Sequence, residues 1–133
     1  MDLHHLNWVA IGTGALGNFL VGGLWYSPLL FGNAWMKSVG FTEEQMKNRP
    51  MGRIFGLTFV YSVVMAFNMA LFLMGRDISY GAAFGFHAGL GLATMAVFII
   101  GLFEGRTARN LLIHAGYLII SMTLMGVIIT AWN

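Results

Sequence analysis

Four long apolar runs dominate this chain and leave little sequence between them. They cover about residues 7–27, 54–74, 79–103 and 108–131. Each run has the length of roughly 20 residues that a helix needs to cross the hydrocarbon core of a bilayer. Four such spans use most of the 133 residues and leave no room among them for a soluble catalytic domain. The sequence therefore predicts one transmembrane domain over residues 1–133, an all-α integral membrane four-helix bundle.

The composition also favours a bilayer as the solvent. Hydrophobic residues make up 58% of the chain and charged residues 9%, whereas soluble domains have about 45–50% and about 25%. The absence of cysteine excludes disulfides, thiolate metal sites and cysteine nucleophiles. A net charge of +2 is too small to indicate nucleic-acid binding. We therefore expect the lipid bilayer as a partner and no nucleic acid.

The stretch between the first two spans contains signals for helix ends and starts. Trp25 and Tyr26 have amphipathic rings that prefer the membrane–water interface, and Pro28 stops the first helix at that level. Further along, Thr42 and Gln45 have the spacing of a capping box. The sequence therefore predicts a short interfacial helical segment between helices 1 and 2.

Positively charged residues are concentrated on one side of the predicted bundle. Six of the seven Lys and Arg residues lie between spans one and two or between spans three and four: Lys37, Lys47, Arg49, Arg53, Arg106 and Arg109. Cytoplasmic loops carry such an excess of basic residues. We therefore expect both termini to lie outside the cytoplasm.

Small residues recur at helical spacing in the first and third spans. Such residues let membrane helices approach each other closely, so we assign them to helix packing: Gly14, Gly22, Gly81, Gly85 and Gly89. The third span also carries a second small face, formed by Ala83, His87, Gly91 and Thr94. Because two small faces would allow contacts on both sides, we expect the third span to be the central helix.

Polar side chains within the spans are the candidates for function. Each is costly in hydrocarbon and must find a partner, so such residues commonly mark pathways or ligand sites. The ligand or pathway candidates are His87, His114, Asn18, Asn68, Tyr61, Tyr117, Asn110 and Trp25. We expect both histidines to face the protein interior, and an accessible one to titrate near pH 6.5, the ordinary value for imidazole. The alternative is that both stay neutral and only bridge helices.

Metal and catalytic patterns are sparse. Met65 and Met69 lie four residues apart on the second span, and thioethers are soft ligands that suit Cu(I). The alternative for these two residues is flexible packing, which is the common use of methionine in cores. No Gly-x-Ser-x-Gly, His-Glu-x-x-His or phosphate-binding loop is present. We therefore expect no catalytic residues, no cofactor and no other metal site.

Three segments of the chain resemble those of a known family. They are the string from Leu24 to Trp35, His5-Leu6-Asn7-Trp8 before it, and His114-Ala115-Gly116-Tyr117 late in the chain. In these the chain resembles the small membrane-protein family catalogued as domain of unknown function 1761, over essentially its whole length. The resemblance implies four membrane spans, a bacterial cytoplasmic membrane, and no assigned reaction or substrate. The family often carries an acidic residue just before the Gly-Tyr of its fourth span, where this sequence has His114.

Two functions of different classes are consistent with these residues. The first is a small oligomeric transporter or channel, or a small-ligand-binding membrane protein, that uses the His, Asn and Tyr groups within its spans. The second is a non-catalytic accessory or structural membrane protein whose polar stripes only hold the helices together. Four spans enclose little volume, so transport in particular predicts a homo-oligomer.

Overall fold

The computed structural model describes residues 3–133, so residues 1 and 2 of the predicted domain lie outside the described part of the chain. A short 3₁₀ turn, Leu3–His5, precedes the first long helix. In chain order the helices are α1 (Trp8–Trp25), α2 (Gly32–Val39), α3 (Glu43–Lys47), α4 (Met51–Leu73), α5 (Ile78–His87), a π-helical segment (Ala88–Thr94), α6 (Met95–Phe103) and α7 (Ala108–Ala131).

Four of these units are long and apolar enough to cross a membrane. They are α1, α4, α7 and the continuous third span Ile78–Phe103, which consists of α5, the π-helical segment and α6. No strand occurs within residues 3–133. The predicted all-α four-helix bundle is confirmed, and its helices are those of an integral membrane protein.

The helix starts follow local capping chemistry. The side chains of Asn7, Asp77 and Thr107 accept hydrogen bonds from backbone N–H groups in the first turns of α1, α5 and α7. Thr42 and Gln45 form both hydrogen bonds of a capping box at the start of α3. The helical segment predicted between helices 1 and 2 is therefore present as two short helices, α2 and α3.

Helix α7 lies at the centre of the bundle. The first span, the second span and the α5–π part of the third span all pack against it. The prediction that the third span is central is wrong, because its second small face is exposed at Ala83, His87 and Gly91, although Thr94 is buried. A small face shows how closely one neighbour can approach, but it does not show how many neighbours a helix has.

Glycines of the third span bring its backbone against the backbone of α7. A Cβ atom on Gly85 would collide with the carbonyl group of Met122, and one on Gly89 would lie 2.8 Å from the carbonyl oxygen of Leu118. Gly81 likewise approaches a carbonyl group of α7. Since backbone atoms cannot move aside as a side chain can, this contact requires glycine at these positions.

Glycines of α1 make a looser contact with α7. A Cβ atom on Gly14 would lie 3.3 Å from the side chain of Ile129, and one on Gly22 would lie 3.3 Å from the ring of Tyr117. These distances involve side chains rather than backbone. Helix α1 therefore packs on α7 through side chains and leaves room between the two backbones for polar groups.

The two ends of the bundle differ in chemistry. At one end, here called the terminal end, Asn133 donates hydrogen bonds to the carbonyl oxygens of Leu73 and Arg76, at 2.7 and 3.0 Å. Asn7 there contacts the carbonyl oxygen of Trp132 at 3.5 Å. The opposite end, here called the basic end, carries α2, α3, the connection 104–107 and six of the seven Lys and Arg residues.

Candidate functional site

A tyrosine–histidine pair lies at the basic end, where α1 stops. Tyr26 follows the last residue of α1, and its hydroxyl oxygen lies 2.6 Å from Nδ1 of His114 on α7. Burial, and then the nearby Tyr117, raise the pKa of Tyr26. The hydroxyl therefore stays protonated and can donate a hydrogen bond to Nδ1 of a neutral imidazole.

Trp25 fixes the end of α1 against α7. Its ring Nε1 donates a hydrogen bond to the carbonyl oxygen of Ile113 at 2.9 Å. A Cβ atom on Gly116 would lie 2.5 Å from the Trp25 ring, so the glycine makes room for the indole. The ring of Phe31 packs on its other side, with the centroids 4.6 Å apart. These contacts place the adjacent Tyr26 beside His114.

A second polar group lies deeper, at the middle of the bundle. The hydroxyl groups of Tyr117 and Ser121 both donate to Oδ1 of Asn18, the former at 3.2 Å. The Asn18 amide donates to the Ser62 hydroxyl at 2.6 Å, and Ser62 donates to the carbonyl oxygen of Thr58 at 2.8 Å. Asn18 is only 3% exposed. One buried amide thus connects α1, α4 and α7 and has all its polar atoms satisfied.

The two polar groups adjoin each other, because the rings of Tyr26 and Tyr117 meet edge to face with centroids 5.5 Å apart. Tyr26 and Asn18 are eight residues apart, or about 12 Å along a helix axis. Beyond Asn18 the described interior is mainly apolar and includes Ile11, Met125 and Ile129, and the buried Thr130 hydroxyl there bonds to its own helix. The polar layer therefore runs from the basic end to the middle of the bundle and stops there.

Two cavities lie on either side of His114. The first, here called the apolar cavity, has a volume of about 470 Å³ and lies between the basic ends of α1 and α4. The second, here called the polar cavity, has a volume of about 490 Å³, and Glu104, Arg106 and Asn110 contribute to its wall. His114 and Arg49 line both cavities.

Arg49 lies between aromatic rings just before α4. Its guanidinium carbon is 5.3 Å from the Phe41 ring centroid and 5.9 Å from that of Trp35. Within residues 3–133 it has no ion pair, whereas Glu104 pairs with Arg106 at 3.4 Å. From the sequence, Arg49 is predicted only to contribute to the topology signal. The nearby Trp35 and Phe41 were the available clue that this base differs from its neighbours.

Five of the predicted site residues lie at or near this site. Their polar groups face the interior at the basic end or the middle of the bundle: Asn18, Trp25, Asn110, His114 and Tyr117. Asn110 donates to the Ser38 hydroxyl of α2 at 3.0 Å, so it holds the interfacial helix to α7. Tyr26, Ser62 and Ser121 complete the hydrogen bonds but were not among the predicted site residues.

Three other predicted residues lie on the outer surface of the bundle. Tyr61 is 62% exposed, and Asn68 is exposed and donates to the carbonyl oxygen of Val64 in its own helix at 2.8 Å. His87 is also exposed, so the prediction that it faces the interior is wrong. The physical reason is rotation: Gly85 and Gly89 face α7, and a residue two positions from each lies on the other side of a helix.

The methionine pair lies in packing positions. Met69 is buried in the apolar core, and Met65 is partly buried against it. In residues 3–133 there is no group of three or more His, Asp or Glu side chains arranged to hold a metal ion. The surroundings of Met69 are therefore those of a packing residue.

Comparison with known proteins identifies a family. The model of the family described as "protein of unknown function (DUF1761)" matches residues 9–130, which is most of the chain. This protein therefore belongs to that family, as its residues indicated. A search of curated proteins and a search of solved structures each found no match.

Proposed function

We propose that this member of the DUF1761 family is a small-ligand-binding membrane protein whose ligand enters the cavities at its basic end. The observation that carries this proposal is His114, which lines two cavities at once and is bonded to Tyr26 in the wall of the apolar cavity. Each cavity falls within the roughly 300–1,000 Å³ that ligand pockets occupy. A small number of polar groups within apolar walls is also the common composition of such pockets.

The hydrogen bonding of His114 supports a ligand role. Nδ1 is occupied by Tyr26, but Nε2 has no partner among residues 3–133. Asn18, by contrast, is buried and both atoms of its amide are hydrogen-bonded, as expected of a group that only holds helices together. A half-buried imidazole nitrogen at a cavity wall can donate to or accept from a bound molecule.

A small oligomeric transporter is a second candidate, and one observation favours it. His87 and Asn68 are exposed within the spans, where polar side chains are costly against lipid. A homo-oligomer would cover them with a second copy and would supply the path that a single chain lacks beyond Asn18. The accessory function remains the alternative, in which the cavities hold only bulk lipid.

We propose that the basic end faces the cytoplasm of a bacterial cell and that both termini face outward. The six bases at that end support this orientation. The chain has no cysteine, so single-cysteine variants can be labelled without background. In intact cells, Lys47→Cys should resist a membrane-impermeant maleimide and Asn133→Cys should react with it. Labelling of Lys47→Cys alone would show the opposite orientation.

Bound small molecules test the proposed function directly. The wild type, His114→Gln and Tyr26→Phe are purified in a mild detergent, and the molecules released on denaturation are identified by mass spectrometry. We expect the wild type to release one non-bulk-lipid species in stoichiometric amount, and both variants to release less of it. Tyr61→Phe is the matched control, because Tyr61 lies on the outer surface. Identical release from all four proteins would favour the accessory function.

A further inference from the structure

We infer that the apolar cavity binds an amphipathic anion, a single apolar chain with a carboxylate or phosphate head that contacts Arg49. This inference rests on the proposed function, because it names the ligand class of the same site. It also identifies Arg49 as the residue that selects the head group. The argument comes from the surroundings of the guanidinium and from the charges in the cavity wall.

The guanidinium of Arg49 is held in place but poorly satisfied. Faces of Trp35 and Phe41 fix its position through cation–π contacts. Its one recorded hydrogen-bond acceptor is the sulfur of Met46 at 3.9 Å, and thioether sulfur is a weak acceptor. A guanidinium carries five N–H donors in a planar fork that matches the two oxygens of a carboxylate or phosphate. Most of this donor capacity is therefore open to a ligand.

The charges of the cavity wall favour an anion. Arg49 is the one charged side chain among the residues that line the apolar cavity, and no Asp or Glu lies in that wall. On the neighbouring polar cavity, Glu104 is already paired with Arg106. An anion that enters the apolar cavity would therefore meet a half-buried cation and no carboxylate in the same wall.

The remaining wall favours an apolar chain. The deeper wall of the cavity is lined by Phe19, Ile54 and Phe55, and its two polar residues, Thr58 and Tyr117, already donate their hydroxyl hydrogen bonds within the bundle. The rings of Phe19 and Phe55 meet edge to face with centroids 5.9 Å apart. Phe19 lies seven residues before Tyr26, so the cavity extends on the order of 10 Å along α1. That depth accommodates an alkyl chain with its head near Arg49 and His114.

Fluorescence quenching provides the test. The protein is placed in phosphatidylcholine nanodiscs and titrated with dibromostearate, whose bromine atoms quench nearby tryptophans such as Trp35 of the cavity wall. We expect saturable quenching in the wild type and an affinity about ten- to a hundredfold lower in Arg49→Gln, the range for losing hydrogen bonds to a charged group. Lys47→Gln is the matched control, because it removes the same charge from an exposed position two residues away.

Further titrations identify the head group of the ligand and show whether it comes from bulk lipid. The uncharged methyl ester of dibromostearate should bind much more weakly than the acid. Inorganic phosphate should not compete, whereas replacing part of the phosphatidylcholine with phosphatidylglycerol would compete only if a bulk lipid headgroup is the natural anion. If Arg49→Gln is unstable, Arg49→Lys keeps the charge without the fork and should still lower the affinity for the acid. Displacement by phosphate alone would overturn the inference, because it would show an anion site without a chain.

Two results would separate this inference from the proposed function. In the first result, the acid and its methyl ester bind equally, and Arg49→Gln has the same affinity as Lys47→Gln, whereas His114→Gln abolishes binding. The cavity would then be a ligand site that does not select an anion. The inference then fails and the proposed function stands. In the second result, neither probe gives saturable quenching in the wild type and no species is released from the purified protein. Both the inference and the proposed function would then fail.

Discussion

Thr94 carries a buried hydroxyl group that has no hydrogen-bond partner within residues 3–133. The residue is 1% exposed and ends the π-helical segment. An unpaired buried hydroxyl costs about 1–3 kcal/mol, and valine has the same shape without it. We therefore expect Thr94→Val to raise the midpoint of thermal unfolding in nanodiscs.

Thr130 is the matched control for this substitution. It is also buried, but its hydroxyl donates to the carbonyl oxygen of Gly126 at 2.7 Å. Thr130→Val should therefore leave the midpoint unchanged or lower it. An equal loss of stability in both variants would mean that the Thr94 hydroxyl has a partner after all.

Asn18 gives the second prediction at this scale. Replacing it with Leu would leave the Tyr117 and Ser121 hydroxyl groups without their shared acceptor in the middle of the bundle. Each unsatisfied group costs about 1–3 kcal/mol, so we expect Asn18→Leu to lower the unfolding free energy by about 2–5 kcal/mol. Asn68→Leu is the control, because that amide is exposed and bonds only to its own helix. Equal stability of the two variants would contradict the bridging role.

The site residues could be predicted in part. Asn18, His114 and Tyr117 were found because a polar side chain in an apolar run must have a partner. His87 met the same criterion and lies on the surface, since hydropathy does not reveal how a helix is rotated about its axis. Tyr26 and Arg49 were missed as site residues, because interfacial tyrosines and loop arginines are common and only their long-range neighbours distinguish them.

The contact between α5 and α7 depends on the close approach of glycine backbones, so an added methyl group there should destabilise the bundle. An added methyl group on Gly85 would collide with the Met122 carbonyl, whereas nothing lies within 4 Å of the same atom on Gly91. Overpacking costs typically about 1–3 kcal/mol, and Gly→Ala in open helical positions gains about 0.4–1 kcal/mol. Gly85→Ala should therefore lower the thermal midpoint and Gly91→Ala should raise it slightly. Equal midpoints would show that the two helices are not in backbone contact.

Element types and ends followed from local signals, but their arrangement did not. Hydropathy and capping residues identify the spans and the start of α3 because those effects act within one helix. The π-helical segment Ala88–Thr94 interrupts the third span without any change in hydropathy that would reveal it. The central place of α7 depends on the glycines of the third span and on the polar partners of residues such as Asn110 and Ser121, and that is a property of several elements together.

At the scale of the whole molecule, the bundle is divided into two unlike halves. The basic half contains the polar layer and both cavities, and the terminal half is closed by apolar packing around Leu73, Met125 and Ile129. Within residues 3–133, the polar layer and these two cavities do not extend past the middle of the bundle.

The outer surface gives the last prediction, which concerns association between copies. His87 and Asn68 are exposed on neighbouring helices, since the rings of Phe72 on α4 and Phe84 on α5 are stacked with centroids 5.7 Å apart. Both lie within spans, where an exposed imidazole or amide is costly unless another helix supplies a partner. A second copy packed on this face would cover both residues, and the exposed small residue Ala83 would let the helices approach closely.

Single-cysteine cross-linking in vesicles measures this association. Ala83→Cys, one turn from His87, should form covalent dimers on oxidation, whereas Leu16→Cys on the exposed side of α1 should not. Adding His87→Leu to Ala83→Cys should reduce the dimer fraction, because the polar contact across the interface is lost while the small face remains. Equal cross-linking at both positions would indicate random collision. A dimer fraction unaffected by His87→Leu would show that the imidazole does not contribute to the interface, and its exposure in the span would then require another partner.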